Sequence, residues 1–414
     1  MRRRRFISAS ALTAAGLLAA GRLTLLADTP SGTVAVKGAA GVYGLFCKPE
    51  AHLRPFVRWW WNGNKVEAGE LVRELRLLKA AGIGGVEINP VQFPSRSPGD
   101  DMGKPSLQWL SDEWIKMVQV VFDETKRLGM TCDMIVGSGW PFGAEYLTEE
   151  EQARIVVIGV KKLSGPLDFS ISGGELFALA DPPVSSPLEG RRHKLLSLTL
   201  VPDPLSSTRE VTDLSEKIGE EMITIPVPGG DHALYALVEI SGFMEVINGA
   251  PGASGPVLDH YNEAAVRGFL ERMSGALEAG AGPLSHHLRA LFTDSMELEG
   301  ANWTPDMRSE FIRRRGYDIF PFLPFVLFRT GAMGNVTDYR YGAAFGPEFE
   351  EMISRMRYDF ETTKAELLEE RFLKTFASWC GELGVSSRMQ AYGRGFFPLE
   401  SSMAVDIPEG ESWT

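Results

Sequence analysis

Beyond about residue 50 the chain alternates two hydrophobic rhythms, short apolar runs and longer stretches with apolar residues every three or four positions. The run Arg54-Pro55-Phe56-Val57-Arg58-Trp59-Trp60-Trp61 reads as a first strand. Leu71, Leu75 and Leu78 then put one apolar stripe on a helix over 67–81. Gly85-Val86-Glu87-Ile88-Asn89 reads as a second strand, 112–128 as a helix with Ser111 at its N-cap, and 130–136 as a third strand. Strands alternating with helices of this length predict βα units and a parallel sheet.

Between about 150 and 255 the rhythm changes. Residues 155–158, 195–201, 222–227 and 233–240 are β-like runs separated by Gly, Pro and Ser turns, which predicts an inserted β-rich domain. The βα rhythm then resumes. A helix is expected over 261–278, a fourth strand over 288–294, and a helix over 305–315 with Pro305 at its first position. A long helical stretch over 348–382, a fifth strand over 385–392 and a sixth over 403–407 complete the series. The fold class expected is α/β, a (β/α)8 TIM-like barrel. Such a barrel needs eight strands, and six are legible, so it is expected to be incomplete. Its parts are 44–149 and 256–414, around the insertion at 150–255.

Composition narrows the function. The 414 residues are 44% hydrophobic, enough for a large core, and the net charge of -12 lacks the basic footprint of a nucleic-acid partner. Cys47, Cys132 and Cys380 form no CxxC pair and read as buried small apolar residues. Arg2 to Arg5, Phe6-Ile7 and the alanine-rich run 11–20 read as an export signal over about 1–30, similar to a twin-arginine signal. That run is too short to span a bilayer comfortably. The expectation is a periplasmic or extracellular protein with no stable membrane span once the signal is removed.

In a barrel enzyme, chemistry gathers where the strands end at their C-terminal side. There the sequence places Trp60 and Asn62, then Glu87, Asp294 and Glu297, then Tyr392, then Glu409 and Glu411. Aromatics stack on sugar rings, and carboxylates and amides bond hydroxyls, so a carbohydrate is the expected partner. Glycoside hydrolysis needs one carboxylic acid and a second carboxylate. Glu297 is the first candidate, and Glu409 or Glu411 the second. Trp60, Asn62, Glu87, Asp294 and Tyr392 are candidates for substrate binding. In a strand, Trp59 and Trp61 face one side and Trp60 the other. His286-His287 falls before the fourth strand and reads as structural.

Several separated blocks resemble glycoside hydrolase family 106. They are Phe46-Cys47-Lys48-Pro49, Trp59-Trp60-Trp61-Asn62-Gly63, Gly82-Ile83-Gly84-Gly85-Val86-Glu87, Thr293-Asp294-Ser295-Met296-Glu297, Arg315-Gly316-Tyr317-Asp318 and Asp406-Ile407-Pro408-Glu409-Gly410-Glu411. The resemblance implies an inverting α-L-rhamnosidase, a barrel decorated by β-domains, and a calcium ion near the sugar. It matches Glu297 to the general acid, and Glu409 or Glu411 to the base. Family members are usually longer, so the chain reads as a C-terminally truncated member. The alternatives are a non-catalytic carbohydrate-binding fragment, or another barrel glycosidase or polysaccharide lyase.

Overall fold

The computed structural model describes residues 38–95, 103–393 and 398–411. The chain divides into two compact units, Met1–Pro49 and Glu50–Thr414. Of the first, the described part is helix α1 (Gly38–Cys47). The expected export signal lies outside the described residues.

The second unit opens with βα units: β1 (Phe56–Asn62), α2 (Ala68–Ala80), β2 (Gly85–Val91), α3 (Asp112–Leu128) and β3 (Thr131–Ile135). Helix α3 begins where its sequence stops competing with the backbone. The Ser111 hydroxyl accepts from the Trp114 amide at 3.3 Å, and Gly129 ends the helix in the left-handed region at φ 59°.

After β3 the chain leaves this sheet. β4 (Arg154–Ser172), α4 (Gly173–Ala180), β5 (Arg192–Pro202), β6 (Thr212–Asp213) and β7 (Met222–Ser241) build a four-stranded antiparallel sheet in the order β4-β7-β5-β6. Here the structure corrects the sequence reading. The runs 222–227 and 233–240 are one strand, because the irregularity between Val227 and Gly230 is matched on β4 between Gly165 and Leu167, so both strands bend together.

α5 (Glu263–Ala281) and β8 (Ala290–Thr293) return the chain to the parallel sheet. A second excursion carries α6 (Met307–Arg315), α7 (Leu323–Val326) and the ribbon of β9 (Arg329–Thr330) and β10 (Val336–Asp338). Pro305 is not at the first position of α6. It sits in the turn before it, and Asp306 is the N-cap. α8 (Pro347–Leu368) runs through a wider π-type turn into α9 (Lys374–Leu383). β11 (Ser386–Met389), α10 (Pro398–Met403) and β12 (Ile407–Pro408) follow. The expected sixth strand over 403–407 is therefore shorter and later, since Met403 ends a helix.

The parallel sheet has the order β1-β2-β3-β8-β11-β12. Strand order equals chain order, as in a (β/α) barrel. The sheet is open, with six strands among the described residues and with β1 and β12 at its edges. Helices α2, α3, α5 and α9 pack successively on one another. Their apolar sides, including Trp114, Val118, Phe269 and Trp379, are buried. His287 stacks on Phe122 at 4.7 Å within this layer. Cys132 and Cys380 are buried as expected, but Cys47 is exposed. Among the described residues no helix is long and apolar enough to cross a membrane.

Candidate active site

Period-two alternation decides which side chains meet. On β1, Trp59 and Trp61 are buried, whereas Trp60 is 56% exposed on the opposite face. Arg58 and Asn62 share the face of Trp60. The ladder sets Arg58 beside Glu87 and Glu87 beside Asp133. Further along, Phe292 lies beside Arg388. One charged residue from each of four apolar strands therefore points to the same side of the sheet.

These charges neutralise one another. Arg388 Nη1 lies 2.6 Å from Glu87 and 3.1 Å from Asp133, and its Nε is 2.5 Å from Glu409 Oε1. Arg58 Nε reaches Glu87 at 3.2 Å, and its Nη1 reaches Asp294 at 3.0 Å. Arg289 donates to both Asp133 oxygens, and Asn89 donates to Glu87 at 2.6 Å. The Phe292 ring lies 4.6 Å from the Arg388 guanidinium and 4.8 Å from that of Arg58. Burial pushes the Glu87 carboxyl above its ordinary range, against the pull of Arg388, Arg58 and Asn89. Glu87 was expected to meet substrate. Instead it is fully buried with both oxygens engaged, and it anchors this lattice.

The other candidates gather where the strands end. Asp294 Oδ1 accepts from the Ser295 amide at 2.8 Å. Burial raises the Asp294 carboxyl, Arg58 opposes that, and the charges of Glu411 and Glu409 add to the rise. Glu297 accepts from the Ser295 hydroxyl at 3.1 Å. Tyr392 donates to Gln390 Oε1 at 2.8 Å. Its phenol is pushed up to about 12, first by burial, then by Glu411, Asp294 and Glu297. These carboxylates come from two chain segments, Asp294–Glu297 and the one that bears Glu411.

Backbone contacts fix this cluster. Met296 N donates to Tyr392 O at 3.1 Å, and Glu409 N donates to Met389 O at 2.9 Å. Gly393 has φ 121°, and a Cβ there would stand 2.5 Å from the Met296 carbonyl, so the two segments approach only because this position lacks a side chain.

Trp60 and Asn62 line a separate cavity of about 280 Å³ at the end of β1, with Phe93, Gln92 and Lys104. Trp60 meets Phe93 edge-on at 4.9 Å, and Asn62 Oδ1 accepts from the Phe93 amide at 3.0 Å. That cavity does not include the carboxylates.

Sequence reasoning passed over Arg58, Asp133 and Arg388. Their signal was a single charge at the same phase of each apolar strand. Among the described residues no three Asp, Glu, His or Cys side chains converge as ligands. Glu87, Asp133, Asp294 and Glu409 are held by guanidinium groups instead.

The α-L-rhamnosidase family profile matches residues 206–414. The solved structure of a rhamnosidase from Novosphingobium sp. PP1Y superposes with a TM-score of 0.61 at 18% identity, covering 88% of this chain and 49% of that one. At that identity the likeness speaks to the fold. A Formosa agariphila protein provisionally named a beta-glucuronidase is 22% identical over 392 residues, which is 86% of this chain and 31% of that protein. The chain thus spans about half the length of the solved rhamnosidase. Asp294, Glu297, Tyr392, Glu409 and Glu411 all fall in the matched segment, and the chain belongs to glycoside hydrolase family 106, the α-L-rhamnosidase family.

Proposed function

We propose that the protein hydrolyses α-L-rhamnosides with inversion at the anomeric carbon, within a rhamnose-containing glycan or glycoside. Glu297 is the general acid. Glu411 is the base, and Glu409 positions the floor of the site. The observation that carries this reading is the meeting of the Asp294–Glu297 segment with the strand ends that bear Tyr392 and Glu409, through Met296 N to Tyr392 O at 3.1 Å and Glu409 N to Met389 O at 2.9 Å. Glu409 Oε1 is engaged by Arg388 Nε at 2.5 Å, which turns that oxygen to the floor of the site. Glu411 is exposed and has no guanidinium within ion-pair distance among the described residues, which suits it to activating water.

Calcium is an expectation of the family resemblance alone, and rhamnoside hydrolysis with and without EDTA tests it. Export rests likewise on the arginine run and apolar stretch of residues 1–30.

Hydrolysis of an aryl α-L-rhamnoside tests the reading. Glu297→Gln is expected to lower kcat by about 10²–10⁴ on a poor leaving group. It should lose far less on a dinitrophenyl rhamnoside, whose leaving oxygen needs no proton. An equal loss on both substrates removes Glu297 from the acid role. Turnover of an aryl β-glucuronide but not a rhamnoside would move the activity to the one named for the Formosa relative.

A further inference from the structure

Away from the carboxylate cluster, two adjoining clefts lie where the antiparallel sheet, α8 and the β9–β10 ribbon meet. They enclose about 450 Å³ and about 350 Å³, and share Leu327, Phe328, Tyr339 and Arg357. The larger is also lined by Leu298 and Gly300, on the segment that leads from Glu297. Its floor is therefore continuous with the candidate active-site loop.

The chemistry of these clefts is unusual for a chain of net charge -12. Arg357 is half-buried, and its guanidinium stacks on Phe328 at 3.8 Å. Two backbone carbonyls hold it, Val326 O at 2.8 Å and Phe325 O at 3.3 Å. Among the described residues no carboxylate stands within 4 Å of it. Glu361 and Glu350 line the walls and act on Arg357 only through space. Burial depresses the guanidinium, against the opposing pull of Glu350 and Glu361. Arg340 lines the smaller cleft, also without an ion pair among the described residues, and Arg329 lies 4.9 Å from the Tyr341 ring. Lys364 pairs with Glu361 at 2.8 Å. Tyr339 is 72% exposed and meets Phe328 edge-on at 5.1 Å.

We infer that these clefts bind the anionic substituent of an acidic glycan, a carboxylate or a sulfate ester, with Arg357 and Arg340 facing the charge and Tyr339 against the sugar ring. A fixed guanidinium fork matches a planar or tetrahedral oxyanion in two parallel bonds. An exposed ring beside it offers the apolar face that a sugar stacks on. The choice of a glycan as carrier rests on the hydrolase reading above.

Titration calorimetry on the full chain tests this with three probes: methyl β-D-glucuronide, glucose 6-sulfate and neutral methyl β-D-glucoside. Saturable binding of at least one anionic probe is expected, weakened several-fold by 0.5 M NaCl and at least tenfold in Tyr339→Ser, Arg340→Gln and Arg357→Met. Which anion binds identifies the substituent. The two surface variants guard against a folding defect in Arg357→Met. Equal binding of the neutral glucoside, indifference to all three variants, or no saturable binding overturns the inference. Rhamnoside hydrolysis measured in parallel keeps the two readings apart. Hydrolysis without anion-selective binding sinks the cleft alone, and variant-sensitive anion binding without hydrolysis upholds the cleft while the rhamnosidase reading falls.

Discussion

The parallel and antiparallel sheets handle their buried positions in opposite ways. Along β7 the distal half alternates cleanly, with Ile223, Ile225 and Val227 buried between exposed Met222, Thr224 and Pro226, and the proximal half is buried from Ala233 to Val238. The buried positions of that stretch carry no charge, and the pair of Glu239 with Arg154 at 2.6 Å follows only at its end. In the parallel sheet, four strands bring Arg58, Glu87, Asp133 and Arg388 onto one face, where Glu87 and Asp133 are fully buried. Ion pairs removed from water rarely stabilise a fold more than apolar packing of the same volume. The antiparallel sheet is built as packing, whereas the parallel one spends burial on charges that end at Asp294 and Glu409.

Three measurements break or sharpen that contrast. The largest effect is expected from Arg388→Met. It leaves Glu87, Asp133 and Glu409 without their shared cation, and should cost about 3–5 kcal/mol in urea unfolding. A loss below 1 kcal/mol would show that the lattice relaxes with water. Leu237→Ala, fully buried in the antiparallel sheet, should cost about 2–5 kcal/mol through a cavity alone, with no dependence on pH.

The smallest effect comes from Asp259, at the seam where the chain leaves the antiparallel sheet for α5. Its carboxyl accepts from Thr304 Oγ1 at 2.8 Å and from Tyr261 N at 3.0 Å, and burial raises it from 3.8 to about 7. Between those values the folded protein holds a proton that the unfolded chain has released. Stability therefore falls as pH rises through that window, by about 2 kcal/mol between pH 5 and 7. Asp259→Asn should flatten that slope. An unchanged slope would place the titration elsewhere.

How much of this was legible depends on whether the cause was local. The N-cap at Ser111 and the division of Trp59, Trp60 and Trp61 between two faces follow from neighbours in sequence, and both could be read there. The irregularity between Val227 and Gly230 read as a turn because its counterpart between Gly165 and Leu167 lies on another strand. The carboxylates of the cluster were found by their place after strands. Arg388 was missed because its partners, Glu87 and Asp133, lie 301 and 255 positions away. Its signal, a charge at the phase shared by the other apolar strands, shows only when distant strands are compared.

The place of the antiparallel sheet has a kinetic consequence. It interrupts the chain between β3 and β8, which must pair although Arg289 and Asp133 are 156 positions apart. Closing a loop of that length is slow, since the ends must meet before any contact rewards them. Yet Arg154 and Ser241 are partners in one hairpin-like ladder, and the flanking bridges Gly143↔Val257 and Gln152↔Leu258 draw the ends closer still. Once that sheet forms, the two barrel strands are joined by a short effective tether. The excursion that separates them along the chain thereby becomes the template that sets the order of assembly.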